Sequence, residues 1–379
     1  MNFFTDIRLR ELGGCYRRDF VSWSFKDHRV NSLSLSTTAE FERCHNAPLL
    51  CLDVDPVENK YLLCASSSAE FSLFSLDSSI EDSNRIFYQP IEVIRRNDGI
   101  HHSTHKAPIT CISWYPFDTG MVFTSSEDGL LKVWNTNTMS VCDEFKIKSP
   151  VHSHSMSQYN STPCLLAAGS SNSRVYLFDL KTGGTTAILK GHSEAVFDLK
   201  WSPLNSSLLI SSGGDESICM WDIRKYTKPL TRLITNKGKN PALRPSVCGC
   251  IFSEDGLLIA GITSSNKLQV WDAMLHTSVW SMKINKSILT YLRPLRMSIS
   301  KRHSTQYLFV PAATEIRVVD FAFGSEFNRL NAHMDQVYCS SYLQDTQELL
   351  TCSKDCNILL WCSSKLEDKY QSSSESEDD

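Results

Sequence analysis

The sequence predicts an all-β fold, a seven-bladed β-propeller with a short N-terminal helical docking segment. Three observations carry that prediction: a strand-like run that keeps returning, a polar set of fixed spacing inside three of the returns, and a lone strand-like stretch ahead of the first. Trp134, Trp221, Trp271 and Trp361 each end a short run of alternating or β-branched apolar residues, LLKVW, SICMW, KLQVW and CNILLW. Runs of this length and pattern read as strands. RVYLFD places Phe178 at the same point, 44 residues after Trp134 and 43 before Trp221. EFSLFS places Phe74 there, and EIRVVD places Val319 there, 48 residues after Trp271 and 42 before Trp361. Seven units with a period in the forties match an array of four-stranded blades.

The second observation is polar. An aspartate lies six residues before the tryptophan in three units, at Asp128, Asp215 and Asp355. Four residues earlier stands a hydroxyl, at Thr124, Ser211 and Thr351, and a histidine precedes each aspartate by 22 or 23 residues, at His105, His192 and His333. With the Trp-Asp pairs at Trp221-Asp222 and Trp271-Asp272, the units resemble the WD-repeat family. In that family such residues form a tetrad linked by hydrogen bonds, so the resemblance implies tetrads that include Trp134, Trp221 and Trp361. The physical logic is that a half-buried carboxylate and imidazole are costly unless every polar atom is paired. A Ser-His-Asp catalytic reading competes, but a hydrolase needs one active site rather than three copies. Other units depart from the pattern: Ser265 replaces the aspartate in unit five, unit six has no tryptophan, and Phe74 and Phe178 lose the indole N–H donor. Blades two, four and seven are therefore expected to be the most rigid.

The third observation is VNSLSLS at 30–36, a strand placed to complete the last blade and leave no sheet edge exposed. The interval from Phe74 to Trp134 is 60 residues, so about 17 extra residues in SIEDSNRIFYQPIEVIRRNDGIHHS read as a long inter-blade loop. A smaller excess lies around TNKGKNPALRP. The domain reading is a helical docking segment at 1–26, a propeller at 27–365 and a disordered acidic Ser-rich tail at 366–379. In the first segment Phe3, Phe4 and Ile7 share a helix face, Gly13-Gly14 stop that helix, and Tyr16, Phe20 and Trp23 follow at helical spacing. Val21, Trp23 and Phe25 also alternate as a strand would. The segment either packs on its own propeller or docks into another protein, and aromatic anchors outside the repeats favour docking.

Composition narrows the function. The chain has 379 residues, 41% hydrophobic and 21% charged, with a formal charge of -4, which suits a globular protein and not one devoted to neutralising phosphates. The stretch RRNDGIHHSTHK offers Arg95, Arg96, His101, His102, His105 and Lys106 to nucleic acid, but His105 belongs to a tetrad and an exposed loop is the better reading. No direct nucleic-acid contact is expected. The fourteen cysteines show no Cys-x-x-Cys spacing, and Cys111, Cys219 and Cys339 sit in apolar runs as reduced thiols do. No metal, cofactor, phosphate loop or nucleophile motif is read, and no enzymatic activity is expected. The N-terminus lacks a signal-peptide core and no stretch reaches the ~18 apolar residues of a membrane helix, which points to cytosol or nucleus.

One four-residue motif, of a length that recurs readily, ends blade four's third strand, where its arginine is either an exposed rim charge or a contact. Trp221-Asp222-Ile223-Arg224 matches the Trp-Asp-x-Arg pattern of WD-repeat substrate receptors of cullin-RING ubiquitin ligases, in which the arginine contacts the ligase adaptor. Its planar fork suits bidentate hydrogen bonding. Five segments, DVDPVENKYLL (53–63), WYPFDTGMVFTSSEDGLLKVWNTNT (114–138), KGHSEAVFDLKWSP (190–203), EDGLLIAGITSSNKLQVWD (254–272) and SKDCNILLW (353–361), resemble the Cockayne syndrome group A family in order and spacing along most of 45–362. That resemblance implies a non-catalytic substrate-recognition subunit acting in transcription-coupled nucleotide excision repair, in the nucleus with a possible cytoplasmic pool. Its implied partners are the damaged-DNA-binding adaptor of the cullin-4 ligase, the cullin-RING core, the Cockayne syndrome group B ATPase and, through these, stalled RNA polymerase II. Carried over, Arg224 with Asp222 would meet the adaptor, and Phe3, Phe4 and Ile7 would be anchors. The chain departs from the pattern at Asn135, at Ser265 and in detail within the helical segment. The alternative is a WD-repeat scaffold for a nuclear complex without ligase association.

Overall fold

The structure, a computed structural model, describes residues 27, 29–77, 80–82, 85–96, 104–157, 164–235, 245–284, 293–301 and 305–363. Phe3, Phe4 and Ile7, with the rest of 1–26, and the tail at 366–379 lie outside the described residues. Seven four-stranded antiparallel sheets follow one another at 49–94, 109–146, 151–190, 196–234, 247–283 and 298–331, the seventh combining 337–363 with 33–35. The first strand of each unit is innermost. The inner strand of blade one, Leu49–Val54, lies beside that of blade two, Ile109–Trp114, and that of blade seven, Val337–Leu343, so the ring closes. The chain forms the seven-bladed propeller its period predicts.

Burial falls from the axis outwards. The second strand of blade three, Leu165–Ser170, is wholly buried, whereas the outer strand of blade two, Ser140–Lys146, is mostly exposed. The core therefore lies between blades, where Phe71 of blade one meets Trp134 of blade two edge-on at 5.0 Å. Phe74, Phe178 and Val319 are all buried in the places that tryptophan holds elsewhere.

Closure uses the N-terminal stretch. Leu33–Leu35 pairs antiparallel with Ile358–Ser363, Leu33 opposite Ser363 and Leu35 opposite Trp361. Just before it, Arg29 Nη2 donates to Thr346 O at 2.8 Å. Covering the last blade's edge removes a row of open backbone groups.

The long insertion after Phe74 differs from the expected loop. Pro90–Ile94 is blade one's own fourth strand, pairing with Phe71–Ser75. Between them Ile80–Asp82 and Arg85–Tyr88 form a hairpin, and Arg85–Tyr88 also runs parallel to Ala39–Phe41. Phe41 explains why the annex is ordered there: its ring stacks on Tyr88 at 4.6 Å and meets Phe74 edge-on at 5.6 Å. Aromatic surface that a loop would expose is partly buried against the cluster that holds Phe74.

Strand direction sets what each rim carries. In blades two, four and seven the histidine precedes strand one and the aspartate follows strand two, so both lie at one end of the sheet, the tetrad rim. The Trp-Asp pair ends strand three at the opposite end, the far rim. The outer strand Leu33–Leu35 starts from that same far rim, where Arg29 bonds Thr346 O and Val30 is buried against the last blades.

Candidate functional site

In blade four His192 Nδ1 lies 2.9 Å from Asp215 Oδ1 and its Nε2 lies 2.8 Å from Ser211 Oγ, which in turn accepts from Trp221 Nε1 at 2.8 Å. Blade two repeats this with His105, Asp128, Thr124 and Trp134 at 2.9, 2.8 and 2.8 Å. Blade seven does so with His333, Asp355, Thr351 and Trp361 at 2.9, 2.8 and 2.9 Å. The indole can only donate, so the hydroxyl accepts from it; where the imidazole is neutral the hydroxyl gives its own proton to Nε2 and Nδ1–H donates to the carboxylate. Each aspartate also accepts the backbone N–H after its histidine, from Lys106, Ser193 and Met334. The tryptophan needs room: a Cβ on Gly191 would stand 2.5 Å from Trp221 Cη2.

The same atoms in an open cleft would make a hydrolytic triad. Here Ser211, Thr124 and Thr351 are fully buried under an indole, so no substrate carbonyl reaches their oxygens. Removing one partner strands the others, and Asp215→Ala is expected to cost about 1–3 kcal/mol of stability. A thermal melt within a degree of wild type would refute that.

Burial pushes the Asp215 and Asp128 carboxyls up, but hydrogen bonds from His192 and His105 and from backbone N–H groups outweigh it, bringing both down to about 2. A carboxyl lowered on folding stabilises the native state above its unfolded value of 3.8 and loses that contribution as pH falls towards 2. Stability measured by urea unfolding is therefore expected to fall between pH 5 and pH 2.5, by on the order of 1–2 kcal/mol for each of the blade-two and blade-four tetrads. Asp215→Asn should flatten its share of that slope.

Blade one holds a set the spacing argument missed. His45 Nε2 lies 3.1 Å from Ser72 Oγ and Nδ1 lies 3.5 Å from Glu70 Oε2. Cys64 and Ser68 occupy the positions of the usual hydroxyl and aspartate, and the partners are instead Ser72 on strand three and Glu70 just before it. The signal was the alternation in EFSLFS, where Glu70 and Ser72 share one face. Blade five, with Ser265, closes on itself differently: Thr263 Oγ1 pairs with Ser265 Oγ at 2.9 Å, and Lys267 Nζ donates to Thr235 O and Gln269 Oε1, both at 2.9 Å.

Sequence reasoning also missed the axis. Arg296 of blade six is buried and reaches across the centre, with Nη1 3.6 Å from Asp198 Oδ1 of blade four. Its Nη2 donates to Thr110 O of blade two at 3.2 Å and to His152 O of blade three at 3.5 Å. Asp198 also accepts from Ser153 Oγ at 2.9 Å and Cys250 N at 3.2 Å. Near them burial raises the Asp53 carboxyl to about 6, and burial with the Arg296 charge lowers His154 to about 3.

At the far rim the residue after the strand-three aromatic caps the following turn. Asp272 Oδ1 accepts from Met274 N and Leu275 N, both at 2.7 Å, and Asn135 Oδ1 takes the same role with Asn137 N and Thr138 N at 2.9 and 3.3 Å. Asn135 therefore keeps the acceptor that Trp-Asp supplies. In blade four Asp222 starts the short helical turn Ile223–Lys225 and accepts Arg224 N at 3.0 Å. The Arg224 side chain then folds back, with Nε 2.9 Å from Asp222 Oδ1 and Nη2 2.7 Å from Oδ2. Asp222 is nearly buried while Arg224 is 69% exposed. The carboxylate holds one edge of the guanidinium in a bidentate grip, its own acidity strengthened by those bonds, and the other edge is presented to solvent in a fixed orientation.

The model of the WD domain, G-beta repeat, matches residues 99–135, 183–222 and 324–362. Each stretch contains one complete tetrad, and among the described residues no other unit does. This is a seven-bladed WD40 propeller. WD repeat-containing protein ATCSA-1 of Arabidopsis thaliana is 28% identical over 358 residues, 94% of this chain and 74% of that protein. Histone acetyltransferase type B subunit 2 of Candida glabrata is 25% identical over 56% of this chain and 52% of its own length. Radiation-sensitive protein 28 of Saccharomyces cerevisiae is 26% identical over 48% of this chain and 37% of its own. The match to the Arabidopsis relative extends over nearly the whole chain.

Proposed function

We propose that this propeller is the substrate-recognition subunit of a cullin-RING ubiquitin ligase in transcription-coupled nucleotide excision repair, working in the nucleus. It would join the damaged-DNA-binding adaptor of the cullin-4 ligase to the Cockayne syndrome group B ATPase at stalled RNA polymerase II. The observation that carries the reading is that Arg224 and Arg29, among the first described residues of the chain, share the far rim. The near full-length similarity to ATCSA-1 supports it. The contribution of such a subunit is proximity, raising the effective concentration of a substrate lysine near the loaded conjugating enzyme.

The test is a quantitative pull-down of the purified adaptor by the full chain and by a chain lacking residues 1–26. Retention by the full chain and a clear loss on truncation are expected. A folded full chain that retains no adaptor would overturn the ligase reading and leave a WD-repeat scaffold.

A further inference from the structure

The axis of the propeller is closed at one level and reached by water below it. In every blade the inner-strand residue opposite the third residue of strand two is half-buried, although its neighbours on that strand are mostly buried. Six of these residues are polar, Asp53, Ser113, Ser155, Lys200, Ser298 and Ser341, and blade five supplies Ile251. Two residues earlier, at the level of Asp198 and Arg296, the inner-strand residues are buried. Inner strands run from the tetrad rim to the far rim. Water therefore enters the axis from the far rim and stops beneath Arg296, which leaves a blind well with polar walls.

Two separated charges define what the well can hold. The Lys200 charge acts on Asp53 of blade one, His154 of blade three, Cys250 of blade five and Cys339 of blade seven, so its ammonium stands over the axis. That ammonium has no hydrogen bond or ion pair among the described residues, Asp53 included. Arg296 is answered by Asp198. Asp53 Oδ2 accepts from Trp114 N at 2.8 Å, and its Oδ1 is open among the described residues. The hydroxyls of Ser155 and Ser341 are open in the same sense, whereas Ser113 serves His154 and Ser298 donates to Ser340. A bare anion would suit Lys200 but meet Asp53 as like charge. A group with acceptor oxygens and a proton of its own satisfies both, and hydrogen phosphate is such a group. Sulfate has no proton to give at neutral pH, and a phosphomonoester, with its second pKa near ~6, has mostly lost its own. The far-rim turns around the mouth carry both signs, Glu254, Asp255 and Asp345 with Lys225 and Lys301, so selection falls to the well. We infer that the axis holds a site for free hydrogen phosphate, seated on Lys200 and the hydroxyls of Ser155 and Ser341, with its P–OH donating to the Asp53 carboxylate. The site is independent of the ligase reading.

The experiment is calorimetry on the full chain at pH 7 and constant ionic strength, with sodium phosphate, sodium sulfate and an N-acetylated phosphoserine amide as probes. Wild type is expected to bind phosphate about tenfold tighter than sulfate, the worth of one hydrogen bond to a charged group. Lys200→Met should lose about tenfold or more of the phosphate affinity, and Ser155→Ala/Ser341→Ala several-fold. Asp53→Asn keeps an acceptor for Trp114 N and offers an amide donor, so phosphate and sulfate should then bind within about twofold of each other. Each variant is checked for an unchanged melt without anion, and Lys200→Gln replaces Lys200→Met if that variant melts lower. A wild type that binds no phosphate overturns the proposal, as does phosphate affinity that Lys200→Met leaves intact. Equal affinity for phosphate and sulfate in the wild type would mean an adventitious ion only. Tighter binding of the phosphoserine amide than of phosphate would make the well a receptor for a phosphorylated side chain and overturn the assignment of free phosphate.

Discussion

Arg296→Ala is expected to lower stability by about 3–5 kcal/mol, because it leaves Asp198 buried without its countercharge. The guanidinium ties blade six to blades two, three and four across the axis, so its loss opens the ring where no neighbouring strand can compensate. Urea unfolding at pH 7 followed by tryptophan fluorescence gives the number. The double variant Arg296→Ala/Asp198→Ala should recover part of the loss, since it removes the stranded charge along with its partner. A single-variant cost under about 1 kcal/mol, the range of an exposed pair, would show that the axis contact is solvated and weak.

Arg224→Ala is expected to act in the opposite domain of behaviour, leaving the melt unchanged and weakening adaptor binding about thirtyfold or more. Its side chain is largely outside the fold, so stability has little to lose. Arg224→Lys should not rescue binding, because an ammonium cannot be held edge-on by Asp222 while presenting a second planar edge. Asp222→Asn should weaken binding by a smaller factor, keeping an acceptor for the turn but losing the charged grip that orients the guanidinium. Equal binding by wild type and Arg224→Ala in calorimetry would return this residue to an ordinary surface charge.

Asp222 illustrates the limit of reading by spacing. The sequence marks Trp221-Asp222-Ile223-Arg224 as a motif, but that the aspartate serves the arginine follows only once a helical turn brings residues 222 and 224 face to face. Glu70 and Ser72 make the same point: a histidine can find partners on strand three as readily as on strand two, and no fixed offset announces which. The hairpin of 80–82 with 85–88 was hidden because strands of three and four residues fall below the length at which alternation is legible, and its packing depends on Phe41, far away in the chain.

By itself the sequence determined the blade count, the three full tetrads, the closing strand and the motif at blade four, because each is a local pattern repeated at a fixed interval. Tertiary structure alone decided what lies on the axis and which turns share a rim. Arg296 and Asp198 are 98 positions apart and sit in unlike contexts, so no periodicity links them; only closing seven sheets into a ring brings their charges together in a place that water does not reach. The axial well arises likewise, from single residues on separate inner strands that become one lining when the ring closes.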